Sequence, residues 1–325
     1  MSDKSCNFAE NYSFMTGTKV AYTKRATTYD RQIELLRSRG VVINDEAKAK
    51  EYLSDIGYYR LGFYIHPFER TYPLLDGRRR HEVNDGTTIE GIVAFYYYNL
   101  DLRNILNRYL SRIEVAIRTT MVYELSNKYQ DDPFWYVNPD VVDESFINDF
   151  RLKVYDRTIR TKEPIRRHHR KYVGVFAPAW KTMEFTTFGN LEALYDNLRL
   201  SADKCLISRH FGEPAMGMFK NYLSVIREVR NSCAHGNVIV GLNLTNSVRA
   251  GSMACPSLAV GTQNTFCGAL RVIDYMLRMV SVNRANDMWN ELFIATARLY
   301  SKVPSLQALV EQKTGIVLPS VCSKS

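Results

Sequence analysis

From Ile92 to Tyr129 the chain runs without a glycine or a proline. That stretch constrains the fold more than any other. Together with Ile89, the residues Ile92, Val93, Tyr96, Leu100, Leu106, Leu110, Ile113 and Ile117 recur at three- and four-residue spacing, the period of an amphipathic helix. Thr87, with Glu90 three residues on, reads as a capping box that opens it. The segment DDPFWYVNPD closes it. A helix of this length predicts a mostly α, bundle-like domain.

The flanking sequence fits that class. Residues 1–26 read as a polar, flexible arm. An N-terminal helical and aromatic subdomain follows over residues 27–86. In TTYDRQIELLRSRG, Ile33, Leu35 and Leu36 form the stripe, Thr28 caps and Gly40 stops. A second helix is expected from about Asp45 to Ser54, then a short hairpin in the turn-rich IGYYRLGFYIHPFERTYPLLDGRRRHEVNDG. The main domain spans residues 87–303, with a basic insertion at about 143–172 and a Gly/Ser-rich loop at about 236–264. Within it a helix follows Phe188, carrying Leu191, Leu194, Tyr195 and Leu198 on one side. Pro214 suits the first turn of the next, whose stripe is Met218, Tyr222, Val225, Ile226 and Val229. Two more helices, about 265–282 and 286–301, close the core, and residues 304–325 read as a tail.

Composition narrows the function classes. Of 325 residues 46% are hydrophobic, yet no stretch reaches the roughly 18 apolar residues of a membrane span. The first residues, MSDKSCNFAENYS, have no apolar core and do not read as a secretory signal. Six cysteines without a CxxC pair predict reduced thiols, a cytoplasmic setting and no zinc site. No cofactor is expected: no glycine-rich phosphate loop, GxSxG or HExxH occurs.

The net charge of +9, from 43 Lys and Arg against 34 Asp and Glu, favours an anionic partner such as nucleic acid. From Arg157 to Lys171 there are seven Lys or Arg, two His and a single acid, Glu163. Arg157, Arg160, Arg166, Arg167, His168, His169, Arg170 and Lys171 are therefore candidate RNA contacts, with Tyr172 available for stacking. The same run also reads as a solvated helix face. His168 and His169 are neighbours, about 100° apart on a helix, and make poor metal co-ligands.

Residues 227–238, REVRNSCAHGNV, are the other candidate. Arg227, Asn231 and His235 share one helical face, opposite the apolar stripe. Gly236 is a helix stop, so His235 falls in the last turn, where the negative end of the helix dipole favours a protonated imidazole. RNA cleavage without a metal uses the neighbouring 2′-hydroxyl as nucleophile. It needs a group that moves protons and a cation that grips the charged phosphorane; histidine and arginine supply these. Arg230 and His235 stand about 140° apart on a regular helix, so one subunit presents them poorly to one phosphate. Two copies across a two-fold axis would form a composite site.

The bland alternative is a C-capping His235 and an Arg230 in a surface ion pair. Arg60 and His66 satisfy the same loose spacing, so the spacing alone decides nothing. Glu114 and Arg118, four apart in RIEVAIRTT, read either as a helix salt bridge or as support, Glu114 orienting Arg230. Cys233 lacks the context of a nucleophile.

YYRLGFYIHPFE, RIEVAIRTTMVYEL, PAWKTMEFTTFGNLEALYDNL and LSVIREVRNSCAHGNVI follow one another in the order of the blocks of the Abi-like (AbiD/AbiF-type) abortive-infection proteins. The start TTYDRQIELLRSRGVVI is similar too. The resemblance covers roughly residues 27–240. It implies a helical domain of the HEPN superfamily, many members of which are metal-independent, dimeric ribonucleases. Arg230 and His235 would then be catalytic and Asn231 the polar residue after the arginine. It also implies antiphage defence, a toxin-like role and a structured noncoding RNA partner. Two departures stand out: Gly236-Asn237 follows the motif where many members continue with a second histidine or bulky residues, and the stretch after 240 does not align. Two other readings remain, an RNA-binding module that cuts nothing and a structural helical dimer.

Overall fold

The computed structural model describes residues 21, 25–75, 78–251 and 261–319. Most of the expected arm, part of the Gly/Ser-rich loop, and Cys6, Cys255 and Cys322 lie outside the described residues. The protein is mostly α, as expected: among the described residues there are α-helices, short 3-10 and π turns, and isolated β-bridges in place of strands.

Three short helices open it. α1 (Tyr29–Ser38) is capped by Thr28, whose hydroxyl accepts the Arg31 N–H at 3.3 Å. Beyond it the chain reverses at Gly40, φ +92°. α2 (Glu46–Ile56) is capped by Asp45, which accepts the Lys48 N–H at 2.9 Å. α3 (Tyr58–Ile65) stands where a hairpin was expected. Gly62 in its interior costs about 1 kcal/mol relative to alanine. Burial of Leu61, Tyr64 and Ile65 outweighs that, because α3 lies against the long helix. Of the hairpin only an antiparallel bridge between Glu69 and Val83 is seen.

α4 (Ile89–Lys128) has 40 residues, a rod of about 60 Å. Its cap is Thr88 rather than Thr87: the Thr88 hydroxyl accepts the Gly91 N–H at 3.0 Å, while Thr87 donates to the Asn84 carbonyl. The basic insertion follows as α5 (Glu144–Phe150), a π-helical stretch (Arg151–Ile159) and α6 (Glu163–Lys171). Next come α7 (Ala179–Thr182) and α8 (Phe188–Asn197), the latter capped by Thr187. α9 (Ser201–His210) was not expected from the pattern; α10 (Met216–Ala234) carries the motif. α11 (Phe266–Val280) and α12 (Val282–Lys302) close the bundle. Part of the expected tail is a further helix, α13 (Gln307–Thr314), which buries Val310 ahead of Ile316.

α4 is the spine. α3, α9, α10, α11 and α12 all pack on it, and its buried side chains belong to the same core as theirs. This explains why polar residues within its apolar pattern, Asn99 and Arg103, are buried. No helix of the described residues is long and apolar enough to cross a membrane.

Candidate functional site

The motif lies at the C-terminal end of α10. Phe219, Tyr222, Val225, Ile226 and Val229 face the core and leave Arg227, Arg230, Asn231 and His235 on the outer side. The helix stops at Ala234 and His235 is its cap residue. Gly236 takes φ +75°, its N–H reaches the Cys233 carbonyl at 3.3 Å, and the Asn237 N–H reaches that of Ser232 at 3.0 Å. This paired closure is a Schellman turn, and it depends on glycine at the left-handed position. It leaves His235 exposed to solvent.

Arg230 is held on the other flank. Its Nη1 donates to Asn231 Oδ1 at 3.2 Å, and its Nε lies 3.7 Å from Glu114 Oε2. Glu114 is fixed in turn, because Arg118 Nη2 donates to its Oε1 at 2.9 Å and to the Thr186 carbonyl at 3.1 Å. Glu114 therefore makes the helix salt bridge with Arg118 and also lies between that buried arginine and the motif arginine. Arg227 pairs with Glu192 on α8. Burial pushes the Glu192 carboxyl up, against the pull of the Arg227 charge. Glu228 accepts the Thr245 N–H and hydroxyl at 2.8 and 3.0 Å, tying the loop after the motif back to α10. Cys233 is buried, which pushes its thiol up to about 12. A thiol held there is protonated at neutral pH and is no nucleophile.

Three residues from α3 and α4, of which the pattern named only Arg60 and that with His66, surround the turn after His235. Asn99 of α4 accepts the Ile239 and Val240 N–H groups at 2.8 and 3.3 Å and donates to the Asn237 carbonyl at 3.3 Å. Its amide also donates to the Tyr64 hydroxyl at 3.1 Å. Arg60 of α3 donates to the Gly236 carbonyl at 2.9 Å. Arg103 of α4 points at the same glycine. Arg60 and His66, the second match to the spacing, do not act together: the His66 ring packs on Tyr72 and meets the Leu74 carbonyl. A polar pair four apart inside an otherwise apolar helical stripe, Asn99 and Arg103, was the available signal.

The basic insertion divides. Arg157, Arg160, Arg166, Arg167, Arg170, Lys171 and Tyr172 are exposed. Glu163 lies among three arginines, 3.9 Å from Arg166, 3.1 Å from Arg167 and 2.8 Å from Arg170, and leaves the face positive. A cleft of about 550 Å³ opens between Asp156, Arg160, Thr161, Arg166, His169 and Arg170. His168 and His169 correct the expectation of a uniformly outward set. His168 is buried, and burial lowers its proton affinity. His169 Nε2 pairs with the Tyr155 hydroxyl at 2.9 Å, and that hydroxyl also accepts the Ala177 N–H. Both rings brace the insertion. The insertion is one helix removed from the motif: α5 packs on α8, and α8 on α10. Among the described residues no three His, Cys, Asp or Glu side chains are grouped as a metal ion would need.

A helical bundle that presents an arginine and a histidine at one helix end, with a basic face one helix away, is the class defined by this geometry. The chain belongs to the Abi-like protein family, whose model matches residues 51–240. That match runs from within α2 to just past the Schellman turn, and it ties the chain to abortive-infection defence. No curated protein and no solved structure matches the chain.

Proposed function

We propose that this Abi-like protein is a metal-independent endoribonuclease of the HEPN type, acting in the cytoplasm as a homodimer and toxin-like in abortive infection. The carrying observation is the arrangement on α10: a guanidinium contacted by Glu114 and Asn231, and an exposed imidazole on a cap residue whose backbone a glycine turn sets. In this reading His235 moves the proton of the 2′-hydroxyl or of the leaving 5′-oxygen. Arg230 grips the non-bridging oxygens as charge builds on phosphorus. A second copy supplies the partner set. Tyr59 and Phe63, an exposed edge-to-face pair on the helix that carries Arg60, are apolar surface suited to that contact.

The test uses purified full-length chain and mixed RNA in EDTA. Cleavage with 2′,3′-cyclic phosphate ends, lost in His235→Ala while the mass of the assembly is unchanged, is the expected result. Undiminished cleavage by His235→Ala refutes the assignment. The basic cleft of the insertion favours a second reading, a module that holds a structured noncoding RNA and cuts nothing. A discrete RNA that copurifies with a protein inactive on every RNA tested would select it.

A further inference from the structure

Arg103 carries a permanent charge on a residue only 6% exposed. Its Nε is buried with no hydrogen-bond partner, and among the described residues no carboxylate pairs with it. A buried cation without a counter-charge is costly, and folded proteins supply one. The surroundings add to the demand. Arg103 Nη1 lies 2.9 Å from the point where a Cβ on Gly236 would sit, and both terminal nitrogens of Arg60 lie 3.5 Å from that point. Two guanidiniums thus converge on one spot. Arg60 spends one nitrogen on the Gly236 carbonyl, and among the described residues it too has no carboxylate. A side chain at Gly236 would crowd Arg103, so glycine is what lets both guanidiniums come this close, and Arg60 and the adjoining His235 are exposed, so the pair is approached from the solvent side.

We propose that Arg60 and Arg103 form a phosphate seat beside His235. Guanidinium forks match the oxygens of a tetrahedral phosphate, and an anion between the two arginines would neutralise both. The ligand class is a phosphate group. Its source, resting on the ribonuclease reading, is the RNA phosphodiester next to the one being cut, so the seat sets the register of the strand over His235. These are binding and positioning residues; neither is placed at the reacting atoms.

Two arms test this on the full chain. In the first, inorganic phosphate is titrated during thermal unfolding, against chloride at equal ionic strength. The wild-type Tm should rise saturably with phosphate, and the rise should vanish in Arg60→Gln and Arg103→Gln. Lys48→Gln, an exposed control with the same charge change, should keep it. Arg60 is a surface residue, so its variant keeps the test alive should Arg103→Gln fail to fold. In the second arm, a fully 2′-O-methylated oligoribonucleotide, which this chemistry does not cleave, should bind about tenfold more weakly to Arg60→Gln than to wild type. No rise in wild type, or a rise that persists in Arg60→Gln, overturns the seat. A rise lost in the variants with oligonucleotide affinity unchanged overturns RNA as the source. Neither arm needs cleavage, so an intact seat in a protein that cuts no RNA refutes the ribonuclease reading alone.

Discussion

Replacing Glu114 with glutamine should separate what this residue does for the fold from what it does for the motif. Its side chain is 15% exposed, and that of Arg118 is 10% exposed. Breaking a buried pair by removing one partner costs about 3–5 kcal/mol. Arg118 keeps the Thr186 carbonyl, and the glutamine oxygen can still accept, which brings the expected loss to about 2 kcal/mol. Arg230 is 39% exposed and its Nε lies 3.7 Å from Glu114, so that contact contributes below about 1 kcal/mol. Urea unfolding should therefore shift to lower denaturant by roughly 0.5 M. A double-mutant cycle with Arg118→Met should return a coupling of about 2 kcal/mol, and one with Arg230→Met less than half of that. RNA cleavage should fall by about ten- to hundredfold, because a guanidinium free to swing loses its alignment with the phosphate. A larger coupling to Arg230 than to Arg118, or wild-type cleavage by Glu114→Gln, would refute the bridging role.

Gly236→Ala should cost about 1 kcal/mol from the positive φ alone, more once the new methyl meets Arg103, and should lower cleavage by displacing His235; unfolding and cleavage assays check both. The Glu69 carboxyl is buried, which alone would push it up. Two hydrogen bonds from Arg79, at 2.8 and 2.6 Å, and the contact with His81 outweigh that and hold it below the usual carboxylate range. A depressed folded-state value stabilises above the unfolded carboxylate range and is lost as pH falls through the folded one. Arg79→Met should thus destabilise by about 2 kcal/mol or more at pH 7 and by less at acid pH, a trend that denaturation across pH 3–7 will resolve. Neutralising Arg166, Arg167, Arg170 and Lys171 together should weaken RNA binding and flatten its salt dependence; equal slopes of log K against log salt for mutant and wild type would move the RNA surface elsewhere.

The long helix, the stripe of α10 and its glycine stop were legible because each is local: a period, a cap, a left-handed residue. The α3 segment was not, since Gly62 and the aromatic run speak for turns. Only contact with α4, invisible along the chain, makes a helix of it. α9 was missed for the same reason, because SADKCLISRH has a weak stripe and is held by its packing on α4 and α10. In the candidate site, Arg230, Asn231 and Glu114 could be nominated from spacing and residue type. The polar pair Asn99 and Arg103 could be noticed in the stripe, but the relation of Arg60, Asn99 and Arg103 to Gly236 could not be read, because it crosses from α3 and α4 to the end of α10. His168 and His169 show the converse: charge counting made them surface ligands, and the fold turned one inward and tied the other to Tyr155.

The two flanks of α10 bear on how the proposed chemistry can be assembled. Arg230 and His235 stand five positions apart, about 140° around the axis of a regular helix. Arg230 is drawn toward α4 through Glu114, while the turn at His235 is fastened to α3 through Arg60. The two groups are drawn toward different helices, so one copy presents them on different flanks of α10. A two-fold axis at the end of α10 removes the conflict, since the imidazole of one copy can approach the guanidinium of the other with both anchors intact. It also duplicates the Arg60–Arg103 pair, one on each side of the shared groove. A strand lying across that groove would then meet cations at the cut and beyond it. In the proposed dimer the site is shared between copies, so cleavage should rise with dimer formation; cleavage per chain that is unchanged on dilution to monomer would refute the composite site.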